Sequence, residues 1–320
     1  MKIKTNRLIL LILLSVLLAP FCSFAQKEKL NLHSTAEIPG YNFIIANDLG
    51  RNGYFDQKPI AQTMGEWAGK ADIDFVVAAG DVHHFNGIAS VSDPLWMTNY
   101  ELIYSHPELM LDWHPILGNH EYRGNTQAVL DYSKVSRRWV MPSRYYTMVK
   151  KVDDSVSIRL LFIDTAPLIQ KYRQQKEDYP DAYKQDDLLQ LHFIDSVLSV
   201  SKEKWKIVIG HHPIYAQTQK DDSERSDLQT RLDPILRKYN VDFYVCGHIH
   251  NFQHISKNES TVKYIVNSSA SGSRPVEAID GTVFSSDKTG FSICSVSDDK
   301  FTFYFIDKDG NEIYSYSKEK

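Results

Sequence analysis

Cysteine is scarce, with 3 in 320 residues, at Cys22, Cys246 and Cys294. That excludes a disulfide-built scaffold, and no thiolate stands at a ligand spacing, which excludes an iron–sulfur cluster or a cysteine-held zinc. Excess charge is lacking too. Lys+Arg 36 against Asp+Glu 40 gives a formal net charge of −4, without the basic surface that a binder of nucleic acid or anionic membrane needs. Internal repeats, low-complexity tracts and Pro/Gly-rich linkers are absent, and after residue 25 no apolar run approaches the roughly 20 residues of a membrane span. What remains is ordinary globular usage, 42% hydrophobic and 24% charged. A chain of this length can bury one large α/β core.

Residues 1–25 read as an export signal. Lys2, Lys4 and Arg7 form a basic end, Leu8 to Leu18 is apolar except for Ser15, and Ser23-Phe24-Ala25 places small residues at the cleavage positions. A retained anchor is the competing reading, and the run is short for it. The expectation is an exported protein, periplasmic or secreted, with residues 26–320 as a single domain, monomeric and free of the membrane. Cys246 and Cys294 each lie in an apolar, strand-like run, so a disulfide and two buried thiols both stay open.

Short β-rich runs alternate with helical periodicity. Residues 43–46, 75–79, 115–117, 159–163, 206–209 and 243–246 are strand candidates, each closed by a glycine or a polar turn. Residues 59–70, 127–139, 186–200 and 227–239 have apolar residues at helical spacing. After His250 the pattern turns all-β, with strands at 262–266, 290–296 and 301–306, and Asp309-Gly310 marks a hairpin into 313–316. The pattern predicts an α/β fold of two packed mixed β-sheets flanked by helices.

The strands end in metal-ligand residue types, at the sheet edge where α/β sites assemble. Collected in order, these are Asp48, Asp81, His84, Asn119, His120, His211, His248 and His250. Oxygen and nitrogen donors without sulfur suit Fe, Mn or Zn. The set is too large for one tetrahedral ion and suits two ions sharing a carboxylate. Gly80, Gly118, Gly210 and Gly247 each precede a ligand candidate, where a missing Cβ permits a sharp turn and a close approach.

Asp48-Leu49-Gly50, Gly80-Asp81, Gly118-Asn119-His120-Glu121, Gly210-His211-His212-Pro213 and Gly247-His248-Ile249-His250 resemble, in order, the motifs of the calcineurin-like metallophosphoesterases. The stretch from Gly118 to Tyr146 looks especially like the small, mammalian-type (tartrate-resistant) purple acid phosphatases. The resemblance implies one metal held by Asp48, Asp81, His84 and His250, and a second by Asp81, Asn119, His211 and His248. His120 would face the phosphate off the metals. The family has a tyrosine three residues after the bridging aspartate, where this chain has His84 beside His83. Spacing favours His84 over His83 as the ligand, making a nitrogen-rich, colourless site that holds Fe(III) less tightly. Lys220 stands near where the family has a phosphate-facing histidine.

The function implied is hydrolysis of small phosphate monoesters by attack of a metal-bound water, with His120 stabilising charge or protonating the leaving group. Glu121 would tune His120 or be solvated, and His212 would be a wall residue. A phosphodiesterase or nucleotidase using the same site is the nearest alternative. A silent metal- or phosphate-binding protein is the alternative from another class.

Overall fold

The computed structural model describes residues 38–320, so the export-signal reading of residues 1–25 lies outside the described residues. Residues Glu37–Lys320 form one compact unit. Two mixed sheets carry it, as the alternating pattern predicts. The first has strands β1 (Tyr41–Ala46), β2 (Ile73–Ala78), β3 (Asp112–Pro115), β11 (Gly290–Val296), β12 (Lys300–Asp307) and β13 (Glu312–Glu319), in the order β13-β12-β11-β1-β2-β3. The second has β4 (Tyr146–Lys151), β5 (Ser157–Phe162), β6 (Trp205–Ile209), β7 (Phe243–Cys246), β8 (Phe252–Ser256), β9 (Lys263–Val266) and β10 (Thr282–Ser286), in the order β10-β8-β9-β7-β6-β5-β4.

The centre of each sheet is parallel. β1, β2 and β3 run together in one sheet, and β5, β6, β7 and β9 in the other. Parallel strands covered on both faces need continuous apolar sequence, and β1, β6 and β7 supply it as Phe43-Ile44-Ile45-Ala46, Ile207-Val208-Ile209 and Phe243-Tyr244-Val245-Cys246. β12 instead alternates, and places Phe301, Phe303 and Phe305 on one face. These rings meet the second sheet, Phe243 at 4.9 Å from both Phe301 and Phe303 and Phe252 stacked at 4.7 Å on Phe305. Burying such rings stabilises by roughly 1.5–3 kcal/mol each.

The helices are α1 (Gln57–Ala71), α2 (Thr126–Asp131), α3 (Gln170–Gln174), α4 (Asp187–Val200), α5 (Ser223–Arg231) and α6 (Asp233–Lys238). α4 starts where Asp186 caps it by accepting from the Leu189 N–H. Two helix expectations are corrected. The periodicity of 127–139 gives a helix only to Asp131 and one 3-10 turn at Tyr132–Lys134. Beyond it the backbone is drawn into a bridge beside Trp113, whose N–H donates to Arg138 O at 2.6 Å. The run 227–239 divides into α5 and α6, because Pro234 has no N–H to continue the first helix. The strand expected at 115–117 lies earlier, at Asp112–Pro115. Cys246 and Cys294 are buried free thiols on different sheets.

Candidate dinuclear metal site

The carboxyl ends of the parallel strands from both sheets converge. Asp48 follows β1, Asp81 follows β2, Asn119 follows β3, His211 follows β6, and His248 and His250 follow β7. Asp48, Asp81, His248 and His250 hold positive φ of 51°, 54°, 72° and 61°. Left-handed backbone at a residue other than glycine costs on the order of 1–3 kcal/mol and persists where surrounding structure imposes it. Gly80 has φ 89°, and a Cβ there would strike the His211 ring, so the position requires glycine on both counts.

Asp81 is central. Its Oδ2 lies 3.0 Å from His211 Nε2, 3.6 Å from His84 Nε2 and 3.9 Å from His120 Nε2, while Oδ1 accepts the His120 N–H at 2.9 Å. Asp48 Oδ1 lies 3.0 Å from His250 Nε2 and 4.0 Å from His84 Nε2. Its Oδ2 accepts from Asn47 Nδ2 at 2.6 Å and the His248 N–H at 2.9 Å. Burial alone would raise both carboxyls. The facing imidazoles overcome it, His250 for Asp48 and His211 for Asp81, and hold both well below the usual carboxylate range. Burial lowers the His211 imidazole, yet Asp81 outweighs that and raises it to about 9. Burial holds His84 and His248 well below the ordinary histidine value.

The tautomers follow from the outer hydrogen bonds. His84, His211 and His250 direct Nδ1 at backbone carbonyls, those of Gly50 at 3.1 Å, Ala79 at 2.9 Å and Gly272 at 3.1 Å. A carbonyl only accepts, so Nδ1 carries a hydrogen and Nε2 is the atom left to face an ion, which at His211 would displace the proton that Asp81 favours there. His248 is reversed. Its Nε2 meets Glu224 Oε2 at 2.9 Å, so Nδ1 is the atom that would face an ion, in competition with Lys220 Nζ, which lies 3.3 Å from Nδ1 and 2.7 Å from Nε2. Glu224 is buried on α5 and also accepts from Lys171 Nζ at 2.6 Å and Tyr172 Oη at 2.9 Å.

These atoms fit a metal centre. Asp48 Oδ1, His84 Nε2, Asn119 Oδ1 and His211 Nε2 are buried with no hydrogen-bond partner, an arrangement that costs roughly 1–3 kcal/mol per group unless something else satisfies it. Asp48, His84 and His250 lie close enough to share an ion, as do Asp48, Asp81 and His211. His84 faces the carboxylates, whereas His83 packs edge-on against Trp96 at 4.4 Å.

His120 sits at the open side, 15% exposed, with Nδ1 fixed on Phe85 O at 2.6 Å and Nε2 toward Asp81. Glu121 is neither solvated nor beside the His120 ring. It is buried, and its carboxylate accepts the N–H groups of Gly118 at 2.8 Å, Asp81 at 2.9 Å and His83 at 3.0 Å. His212 is an inner wall residue with both ring nitrogens engaged, by Thr165 Oγ1 at 2.7 Å and Tyr172 Oη at 3.0 Å. Lys220 Nζ lies 2.7 Å from His248 Nε2, and burial lowers its ammonium to about 8. Sequence reasoning missed Glu224, which lies in a polar helical stretch with no motif around it.

Residues 41–252 match the calcineurin-like phosphoesterase family model. The chain belongs to the calcineurin-like phosphoesterase family. It is therefore a metal-dependent phosphoester hydrolase, and the cluster above is compatible with a dinuclear centre. The chain is 31% identical to purple acid phosphatase 4 of Arabidopsis thaliana over 93% of this chain and 90% of that protein. It is 27% identical to mouse (Mus musculus) tartrate-resistant acid phosphatase type 5, over 89% and 92%. Among solved structures, a Plasmodium protein described as GAP50, the anchor in the inner membrane complex, superposes with a TM-score of 0.76. It is 24% identical and covers 87% of this chain and 88% of that one, a likeness of fold.

Proposed function

We propose that this hydrolase is an exported phosphomonoesterase acting on small phosphate esters. The observation that carries the reading is the convergence of unpartnered, buried ligand atoms from both sheets beside a partly open His120. Asp48, Asp81, His84 and His250 would hold one ion, and Asp81, Asn119, His211 and His248 the other. Fe, Zn and Mn all suit these donors. Such a pair supplies charge neutralisation for the phosphoryl group and acidifies water toward a pKa of roughly 7. The names of the Arabidopsis and mouse relatives support an acid phosphatase.

The chain's own groups complete the chemistry. His120 keeps one hydrogen on Nδ1, donated to Phe85 O, so it is the doubly protonated ring that donates from Nε2 toward a phosphoryl oxygen or passes a proton to the departing alkoxide. Lys220, partly buried beside His248, offers a positive charge to the phosphoryl group. Glu224 holds His248 in the tautomer that offers Nδ1. Export rests on the basic–apolar–small pattern of residues 1–25.

The deciding experiment compares p-nitrophenyl phosphate with bis(p-nitrophenyl) phosphate. Faster monoester cleavage supports the reading. Faster diester cleavage transfers the site to a phosphodiesterase, and no cleavage with metal bound indicates a silent binding protein. At position 84 the account expects a colourless native site. His84→Tyr should add visible absorbance with ferric ion, and a colourless variant would remove position 84 from the ligand set.

A further inference from the structure

A solitary exposed phenylalanine needs no explanation, because much of any folded surface is apolar. Phe85 differs by its place. It is 61% exposed, and its ring centroid stands 6.0 Å from that of His120 and 5.9 Å from that of His84. The ring planes are inclined by 65° and 80°, so neither imidazole lies flat on the phenyl ring.

The ring is also held. Over one face lies the Arg51 guanidinium, 4.6 Å from the centroid. The loop that carries Arg51 is fastened by two buried side chains. Gln57 Oε1 accepts the N–H groups of Arg51 at 3.0 Å and Gly53 at 2.7 Å, and Asn99 Oδ1 accepts that of Asn52 at 2.8 Å. Phe85 is tied to His120 through its backbone as well, since its carbonyl takes the Nδ1 hydrogen at 2.6 Å. A flat apolar surface is thus presented to solvent at a fixed place beside the one imidazole of the pocket that is partly open.

That place restricts what the ring can touch. In the monoesterase chemistry His120 meets the oxygen that joins phosphorus to the leaving group. A ring 6.0 Å from the imidazole is within contact of whatever is bonded directly to that oxygen. In an aryl phosphate this is a planar aromatic ring, which can stack offset on Phe85. In a nucleotide the base stands a whole ribose further away, and an alkyl ester has nothing planar to offer. We infer that Phe85 is a specificity-determining residue that selects aryl phosphates, with the ester oxygen on an aromatic ring, over alkyl and nucleoside phosphates. This rests on the monoesterase reading for its turnover, but not for its binding.

The test uses the metal-loaded protein in two arms. Calorimetry compares phenylphosphonate with cyclohexylphosphonate, which match in size, charge and resistance to hydrolysis and differ in planarity. The phenyl member should bind ~3–10-fold more tightly, the range for one aromatic pair. Phe85→Leu should bring the two to equality, and Phe85→Trp should keep the preference. Kinetics compares phenyl phosphate with adenosine 5′-phosphate. Phe85→Leu should shift the ratio of their KM values by the same factor, with the change carried by KM rather than kcat. Equal binding of the two phosphonates in wild type, a preference that survives Phe85→Leu, or an equal rise of both KM values overturns the inference. A Phe85-dependent phosphonate preference without monoester turnover would sink the monoesterase reading and leave the aryl subsite standing.

Discussion

The two sheets contribute unlike halves to one site. The first brings oxygen donors, Asp48, Asp81 and Asn119, with His84 on the loop after β2. The second brings imidazoles only, His211, His248 and His250. The halves are also held differently. In the first, one buried carboxylate, Glu121, gathers three backbone N–H groups from two loops. In the second, the Thr165 hydroxyl accepts the N–H groups of His211 at 3.3 Å and His212 at 3.2 Å, and Glu224 braces His248. The two halves are electrostatically linked, because His250 and His211 of the second hold the buried carboxyls of Asp48 and Asp81 low, with His120 and His84 of the first adding to the effect on Asp81.

Removing each clamp should separate the two halves most clearly. Glu121→Ala strands three buried N–H groups at roughly 1–3 kcal/mol each, and should cost several kcal/mol in urea unfolding or prevent folding. Glu121→Gln, which keeps acceptor oxygen, should recover part of the loss. Thr165→Val should cost ~1–3 kcal/mol. Equal losses from Glu121→Ala and Thr165→Val would refute the claim that the halves are held differently.

A second contrast lies in the histidine that follows a ligand candidate in each half. His120 is partly exposed with Nε2 free of any hydrogen bond, while His212 is fully buried with both nitrogens engaged. His120→Asn should lower kcat by ~10²–10³-fold, the range for losing one transition-state donor, with metal content unchanged by elemental analysis. His212→Gln should act through stability instead, lowering the melting temperature more than kcat. Reversed effects would exchange their roles.

The smallest expected effect concerns Asp164, beneath the second half. Burial pushes its carboxyl up to about 7, although Arg144 opposes this and Tyr122 Oη donates to it at 2.5 Å. The folded value lies above the unfolded carboxylate's ~4, so the folded state binds the extra proton between these limits. The associated stability is therefore complete below pH ~4 and declines, by up to ~1.4 kcal/mol per unit, as pH rises toward 7. Unfolding midpoints at pH 5 and 8 should show this decline in wild type and a flatter profile in Asp164→Asn. Identical profiles would contradict the assignment.

Much of this was legible in the sequence, for a physical reason. Ligands must sit at strand ends, so apolar runs closed by Gly-Asp, Gly-Asn-His or Gly-His mark both the strands and the site. What orients those ligands was not legible. In the sequence Glu121 stands between tuning His120 and facing solvent, and Glu224 carries no signal, because burial of a carboxylate depends on donors that distant segments bring to it. Asn47 and Asn267 exchange a hydrogen bond at 2.8 Å where the sheets meet, and two asparagines 220 residues apart carry no local signal. β4, β8 and β10 escaped because their residues are mixed polar and apolar, and only pairing with neighbours extends them.

We propose that one pocket, built from both sheets, works as a two-metal monoesterase. Its most direct test is titration of metal-free protein with Zn or Mn, following bound metal by calorimetry and p-nitrophenyl phosphate turnover together, with Asp81→Asn in parallel. The account expects two equivalents bound, turnover that rises with the second, and loss of both binding and turnover, by more than ~10³-fold in rate, in Asp81→Asn. Full turnover at one equivalent, or undiminished turnover in Asp81→Asn, would contradict it.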